Sequence, residues 1–367
     1  MSAPAYIVMP TDALGGAEKR FAGLWRFLRQ KGEFDVRLVI RRQLADHLAT
    51  LDELQPFPKS GLEVIDDQSD GGWIAPMQRR LALLHRDHGG SVFHYVMVSP
   101  LQVQRFASLR TLYTCAASSL ELYNSRGRAG VFASVLAARR TDLLEERVKD
   151  ELARRFPFKA RTLTATPNSF VDLDAYSPAP AQRDRLAFCG LFSDEKQAFK
   201  LAEALPSIDA ALRKRGVKAE YKLMGRETRS PGVAELIRTF EPNLDVEARY
   251  EANPSRVLRE AKVFFSLQRQ SNYPSKALLE AMACGCIPIV TDVGTTRKIA
   301  TDDFAFFVSK DCAPGELSAA AEKAMTLTED ERTRRVAAMR RFLLERFSID
   351  SMANYYVRLY SSLGAGA

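Results

Sequence analysis

Residues 262–300, KVFFSLQRQSNYPSKALLEAMACGCIPIVTDVGTTRKIA, place two apolar runs around a polar loop and a helix-forming segment. Lys262–Leu267 is β-branched and aromatic, as a buried strand requires. Gln268–Pro274 is polar loop, and Ser275–Cys284 has helix-forming composition that stops at Gly285. Ile287–Thr291 reads as a second buried strand, so the spacing predicts a β-α-β unit with parallel strands. Pro274 and Ser275 stand at the start of the helix, where proline needs no amide partner and serine can accept from a free N–H. The first-turn amides of Ser275, Lys276 and Ala277 then point into the loop, and with the positive end of the helix dipole they suit a diphosphate. Glu280, one turn further, is within reach of sugar hydroxyls. The same spacing equally allows it to face solvent or to tie down a neighbouring loop.

The alternation continues on both sides. Tyr221–Met224 and Leu244–Glu247 are further strand candidates, separated by helical patterns at Pro231–Phe240 and Pro254–Ala261, which describes a doubly wound α/β domain. Upstream, LAFCGLFSDEKQAFKLAEAL (186–205) runs from a strand, Leu186–Gly190, through a loop holding Lys196 into a helix. At the N-terminus, AYIVMPTDALGGAEKRFAGLWRFLRQKG reads as strand 5–10, loop 11–16 and a helix from about Ala17. Gly15 and Gly16 let a phosphate or hexose approach the backbone where a Cβ would obstruct it, although a glycine pair before a helix is also an ordinary turn. The pattern is not G-x-G-x-x-G, which argues against a nicotinamide-dependent enzyme. Glu316–Met325, Thr328–Arg346 and 351–364 read as closing helices, the second opened by a Thr328/Glu331 capping-box spacing.

LLEAMACGCIPIVTDVG (278–294) resembles the donor-site segment of GT-B glycosyltransferases of family four (group 1), where a Glu, seven residues and a second Glu accompany a similar AMACG run. Glu280 matches the second Glu, and the resemblance implies that it holds the ribose of a sugar nucleotide. Asn272 stands where the first Glu is usual; it brings hydrogen-bonding capacity but no negative charge. GGAE (15–18) is similar to the family's signature after its first strand, and Lys196 matches a Lys that neutralises the donor diphosphate, with Leu191 in place of a companion Arg. Lys276 and Arg226 are candidates to replace that missing cation. His94 matches a family His, whereas Cys115 or Ala116 falls where another His, near the sugar, is common. The resemblance implies two Rossmann-like domains facing across a cleft, with the last helix crossing back to the N-terminal domain. Residues 1–170 with 348–367 would form the acceptor-side domain, 171–184 a linker after TATPNSFVDL, and 185–347 the nucleotide-sugar domain.

The 367 residues, 46% hydrophobic and 27% charged, suit two globular domains. No apolar run reaches the ~18 residues of a membrane span, and the N-terminus lacks a signal-peptide pattern, so a cytoplasmic location is expected. Five cysteines, an odd number without metal-site spacing, read as packed thiols, and the four histidines form no recognised metal or triad motif, so no metal is expected. The net charge of +8 is concentrated: residues 101–170 hold twelve Lys or Arg against six Asp or Glu. That asymmetry suits an anionic acceptor, a membrane surface or nucleic acid. Nucleic acid ranks last for want of any binding motif. WIAPMQRRLALLHR (73–86) mixes apolar and basic residues and is a candidate for peripheral contact with the inner membrane face, against the plainer reading of a half-buried helix.

The expectation is a retaining, metal-independent hexosyltransferase. It would use a nucleoside diphosphate sugar as donor, no cofactor, and a glycan or lipid-linked acceptor. Lys196, Glu280 and Gly16 are its expected catalytic groups. Gly15, Gly16, Lys196, Asn272, Tyr273, Pro274, Ser275, Lys276 and Glu280 are its expected donor contacts. Two other classes remain open: a non-catalytic subunit that binds a sugar nucleotide or glycan, and an epimerase acting on the sugar nucleotide, for which clear acid/base groups are missing.

Overall fold

The computed structural model describes residues 3–66, 72–116, 119–120, 123–166, 169–230, 232–239, 244–271, 273 and 275–364. It divides into two compact units, Met1–Phe170 with Ile349–Ala367, and Val171–Ser348.

The first unit contains β1 (Ala5–Met9), α1 (Gly16–Lys31), β2 (Val36–Arg41), α2 (Arg42–Ala49), β3 (Leu62–Ile65), α3 (Ile74–Asp87), β4 (Val92–Val96), α4 (Pro100–Val103), β5 (Thr111–Cys115), α5 (Ser125–Ala137), β6 (Arg140–Leu143), α6 (Glu146–Arg155) and β7 (Leu163–Ala165). Its parallel sheet has the order β3-β2-β1-β4-β5-β6-β7. All five residues of β1 are buried because both sheet faces are covered. Ala5, Ile7 and Met9 pack with Phe21, Trp25 and Leu28 of α1, while Tyr6 and Val8 pack with Met77, Leu81 and Leu84 of α3. The closing helix of this unit is α13 (Ile349–Ser362), whose Met352, Tyr356 and Tyr360 join the α1 side of the core.

The second unit contains β8 (Arg183–Cys189), α7 (Ala198–Lys214), β9 (Glu220–Met224), α8 (Val233–Arg238), β10 (Val246–Arg249), α9 (Ser255–Leu258), β11 (Ala261–Ser266), α10 (Lys276–Ala283), β12 (Ile287–Thr291), β13 (Phe306–Val308), α11 (Pro314–Met325) and α12 (Glu329–Arg346). Its parallel sheet runs β10-β9-β8-β11-β12-β13. Leu186 and Phe188 face α7 and α11, and Ala187 and Phe264 face α10 and α12. The α/β class is therefore as expected, with β12 lying where its apolar run placed it. Thr328 Oγ1 accepts from the Glu331 N–H at 3.3 Å and Glu331 Oε2 accepts from the Thr328 N–H at 3.0 Å, completing the capping box that starts α12.

Two readings need correction. Residues 171–184 are not a free linker: Val171 and Tyr176 are buried in the second core, and Asp172 Oδ1 accepts from the Asp174 and Ala175 amides, both at 3.0 Å. The helical pattern at 254–261 yields only the single turn Ser255–Leu258, because Ala261 already belongs to β11.

A buried polar chain joins α13 to the first sheet. Tyr360 OH lies 2.8 Å from His94 Nδ1, and His94 Nε2 lies 2.7 Å from Thr114 Oγ1, which donates to Asp142 Oδ2 at 3.2 Å. Thr114 gives its proton to Asp142, so His94 donates from Nε2 and accepts at Nδ1 as a neutral imidazole. Burial, aided by the charge of Arg20, pushes its pKa down to about 3. An unfolded His takes its proton near pH 6.5, so between that value and about 3 the unfolded chain binds more protons and stability falls as pH falls. The slope reaches about 1.4 kcal/mol per pH unit for this group. Asp142, whose pKa burial raises, offsets part of the loss. Urea unfolding of the His94→Gln variant is expected to be less sensitive to pH between 7 and 5 than that of the wild type; an unchanged pH dependence would remove His94 as the source.

Candidate functional site

In each sheet the strand order reverses direction once, between β1 and β4 in the first unit and between β8 and β11 in the second. Parallel α/β sheets bind ligands outside the carboxyl ends of strands at such a switch point, because the two flanking loops diverge there. The loop after β8 carries Lys196, and the loop after β11 carries Gln268–Ser275. Backbone and side-chain bonds hold these two loops together: the Arg269 N–H donates to Glu195 O at 3.0 Å, and Gln197 Nε2 donates to Gln268 O at 3.1 Å. The Gln268 N–H in turn reaches Thr291 Oγ1 at the end of β12, at 2.8 Å. Gln197 adopts a left-handed φ of 50° and is buried. Its amide is therefore the strut that fixes Lys196, one residue earlier, in the loop ahead of α7.

Lys196 is half-buried, with its stem over Gly190 at the end of β8, and no carboxylate pairs with its ammonium among the described residues. Burial pushes its pKa down to about 8, against the weaker opposing pull of Glu195 and Cys189. The close approach that frames it depends on Gly225, where a Cβ would stand 2.1 Å from the carbonyl oxygen of Gly190. The neighbouring Leu191, which stands where the resemblance implies an Arg, is 51% exposed.

Ser275 is the N-cap residue of α10 and is buried, but its side chain makes no cap hydrogen bond. With Ser266, Gln268, Tyr273, Leu278, Thr296 and Ile299 it lines a small recess at the end of β11. Glu280 is 2% exposed, and its Oε1 lies 3.5 Å from Lys276 Nζ. Lys276 also lies 5.8 Å from the ring centre of Tyr176, so it leans along α10 toward Glu280. Tyr273 receives Lys298 over its ring at 5.8 Å. Asn272 and Pro274 lie outside the described residues, as does Asn168 of the segment before 171. Arg226 is exposed and stacks on Tyr250 at 4.6 Å.

Residues 183–330 match the family model of glycosyl transferases group 1. The match spans the second unit's sheet from β8 to β13 and ends at the start of α12. It contains the whole of the Lys196, Ser275 and Glu280 arrangement. No curated protein matches the chain by sequence. Among solved structures the chain is similar to HepE from Anabaena, solved with UDP and glucose, with a TM-score of 0.74 and 13% identity over 98% of this chain and 100% of that one. It is similar to sucrose-phosphate synthase from Thermosynechococcus elongatus, with a TM-score of 0.71 and 15% identity over 98% and 99% of the two chains. WaaG, a glycosyltransferase involved in lipopolysaccharide biosynthesis, matches at 0.70 and 14% over 99% and 100%. The fold shared with these proteins is GT-B.

The first unit of this GT-B chain places Gly15 and Gly16 after β1, at its own switch point. Gly15 has a further use: its N–H donates to Glu18 Oε2 at 2.9 Å, and a Cβ there would stand 2.8 Å from that oxygen. Burial raises the pKa of Glu18, while the amides of Glu18 and Gly15 act against the rise. The glycine pair thus serves helix capping by Glu18 as well as any ligand, a role that the fourth residue of GGAE could have signalled. His94 is fully buried and belongs to the core, as does Cys115, whereas Ala116 is partly exposed at the end of β5. Burial raises the thiols of Cys284, to about 12, and of Cys286. Among the described residues no group of three or more His, Cys, Asp or Glu is placed to hold a metal, and no helix is long and apolar enough to cross a membrane.

Proposed function

We propose that the chain transfers a hexose from a nucleoside diphosphate sugar to a saccharide or lipid-linked acceptor, with retention of anomeric configuration and without a metal. The observation that carries this is Lys196: a half-buried ammonium without a carboxylate partner among the described residues, tied by Gln197 and Glu195 to the loop that leads into α10. An ammonium desolvated in this way is stabilised by an arriving anion more than a solvated one would be.

In this reading Lys196 and the first-turn amides of α10 take the diphosphate and stabilise the charge that grows on it as the glycosidic bond breaks. Glu280 accepts from the ribose hydroxyls, with Lys276 supplying opposite charge beside it. The family resemblance assigns Asn272, Tyr273 and Pro274 to the hexose, and Ser275 shapes the recess at the end of β11. For the first unit the proposal is narrower: the Gly16 amide, next to the Gly15 amide that Glu18 occupies, offers an N–H to a phosphate or hexose oxygen. The structural relatives support the donor class, since HepE was solved with UDP and glucose.

One observation favours a second reading. Leu191 is exposed where a cation would help the leaving group, which suits a subunit that binds the sugar nucleotide without turning it over. Calorimetry against UDP, GDP, ADP and dTDP and their hexose conjugates is expected to show selective binding of one nucleotide. Glu280→Ala is expected to weaken that binding by about 10- to 100-fold, the range for losing hydrogen bonds to a charged group. Binding unchanged by that substitution would remove Glu280 from the ribose site. Selective binding with no transfer to any acceptor would favour the subunit.

A further inference from the structure

We propose that the flank of the first unit formed by Arg139, Arg154, Arg155, Phe158, Lys159 and Arg161 is a docking surface for an anionic lipid bilayer. The sequence RRFPFKAR (154–161) holds four cations and no carboxylate. Its fold sets one of them on an aromatic cluster: Arg155 lies over the Phe132 ring at 4.4 Å, Phe132 meets Phe156 at 5.5 Å, and Phe156 meets Phe158 at 6.3 Å. Lys159 Nζ donates to Ala138 O at 2.7 Å, which fastens the segment to the end of α5 and brings Arg139 beside it. Burial and the charge of Arg139 both lower the Lys159 pKa.

The surface is both charged and greasy. Phe158 is 74% exposed and Leu136, on α5, is 44% exposed. None of Arg139, Arg154, Arg155, Lys159 and Arg161 has an ion-pair partner among the described residues; on α6 the carboxylates of Glu146 and Asp150 lie near Lys149, at 3.7 and 3.9 Å. A nucleic acid would reward the cations but leave Leu136 wet, and an acidic protein would need a shaped apolar complement. A bilayer interface accepts both parts at once, with headgroup phosphates on the guanidinium groups and rings at the acyl boundary.

The helix at 73–86, the sequence's own candidate for this contact, commits one face to the core, the plainer of the two readings, and keeps Ile74 and Leu83 exposed. Met77, Leu81 and Leu84 are buried under the sheet, Arg80 pairs with Glu63, and Arg86 pairs with Asp87 at 3.1 Å. The inference stands apart from sugar-nucleotide binding, so failure of the calorimetric screen does not bear on it.

The full-length protein is tested by co-sedimentation with phosphatidylglycerol–phosphatidylcholine vesicles, pure phosphatidylcholine vesicles and an RNA homopolymer. Binding is expected to the anionic vesicles only, weakened by salt, and reduced at least tenfold in the Phe158→Ser, Arg161→Glu double variant. A Lys214→Glu control in the second unit is expected to bind as the wild type does. Phe158→Trp provides a reading free of any folding defect, with fluorescence expected to shift to the blue when anionic vesicles are added. Equal binding to both vesicle types, full binding by the double variant, absence of the blue shift, or binding of the RNA but not of the vesicles would overturn the proposal.

Discussion

Lys196→Met is expected to lower kcat/KM by about 100-fold or more while the protein stays folded, the loss that follows removal of a preorganised charge-stabilising group. Methionine keeps much of the apolar stem that lies over Gly190 and removes only the ammonium. A half-buried Lys whose pKa is pushed down to about 8 costs stability while it is charged. Between about pH 8 and its ordinary value of 10.5, the unfolded chain binds the extra proton and the folded chain does not. Stability from this group therefore rises with pH across that window. The variant should accordingly be no less stable than the wild type at pH 7.

Donor binding runs the opposite way. The diphosphate favours the charged ammonium, so affinity should fall as pH rises through about 8, approaching tenfold per unit in the limit where only the charged form binds. Calorimetry in buffers of different ionisation enthalpy should then show proton uptake on binding above pH 8, and none in Lys196→Met. A pH-independent affinity between 7 and 9.5 would take Lys196 out of the diphosphate site. Loss of binding accompanied by loss of the folded state would instead assign it a packing role.

The parts of this site legible in the sequence are those that depend on local pattern. Ile287–Thr291 is apolar at every position except its last, which a central parallel strand demands, and the helix between it and β11 ends at Gly285, whose φ of 79° explains the stop. Non-local facts escaped the sequence. Gln197 and Gln268 are 71 positions apart, and neither residue type announces that one will brace the other. The prolines at 178 and 180 signal a connection, but they say nothing of Tyr176, which burial makes part of the second core.

Other misreadings came from patterns that were real but used differently. Leu244 is apolar and half-buried, which drew the tenth strand two residues early, yet ladder pairing begins only at Val246. Helix α3 has the expected basic and apolar faces, and its apolar face is core. Phe158, 74% exposed, lies in RRFPFKAR, a stretch broken by Pro157 and too short for any periodicity to register. Lys276 and Glu280 stand four apart on one helix, a spacing that predicts their pairing as readily as it predicts a ribose contact.

Asp142→Ala should give the largest loss of stability in the first unit, about 3–5 kcal/mol, the range for removing one partner from a buried ionic or hydrogen-bonded network. Asp142 is fully buried in β6 and gathers four hydroxyls: Tyr355 at 2.5 Å, Tyr356 at 2.7 Å, Thr166 at 2.8 Å and Thr114 at 3.2 Å. Two of those hydroxyls come from α13, which is separated from β6 by about two hundred residues of chain. Removing the carboxylate leaves the Tyr356 and Thr114 hydroxyls buried, and it strips Arg20 of the negative charge whose influence reaches Asp142. Arg20 is itself 3% exposed, with Nε and Nη1 lacking hydrogen-bond partners. An uncompensated guanidinium at that depth is a larger penalty than any single lost hydroxyl bond. Asp142→Asn, which keeps the shape but presents an amide to four donors, should lose less than Asp142→Ala and still more than a surface substitution. Equilibrium urea unfolding with α13 reported by proteolytic release of the C-terminal segment would read both effects. A loss below about 1 kcal/mol for Asp142→Ala would mean that water takes over as acceptor and that apolar packing of Met352, Tyr356 and Tyr360 alone holds α13 in place.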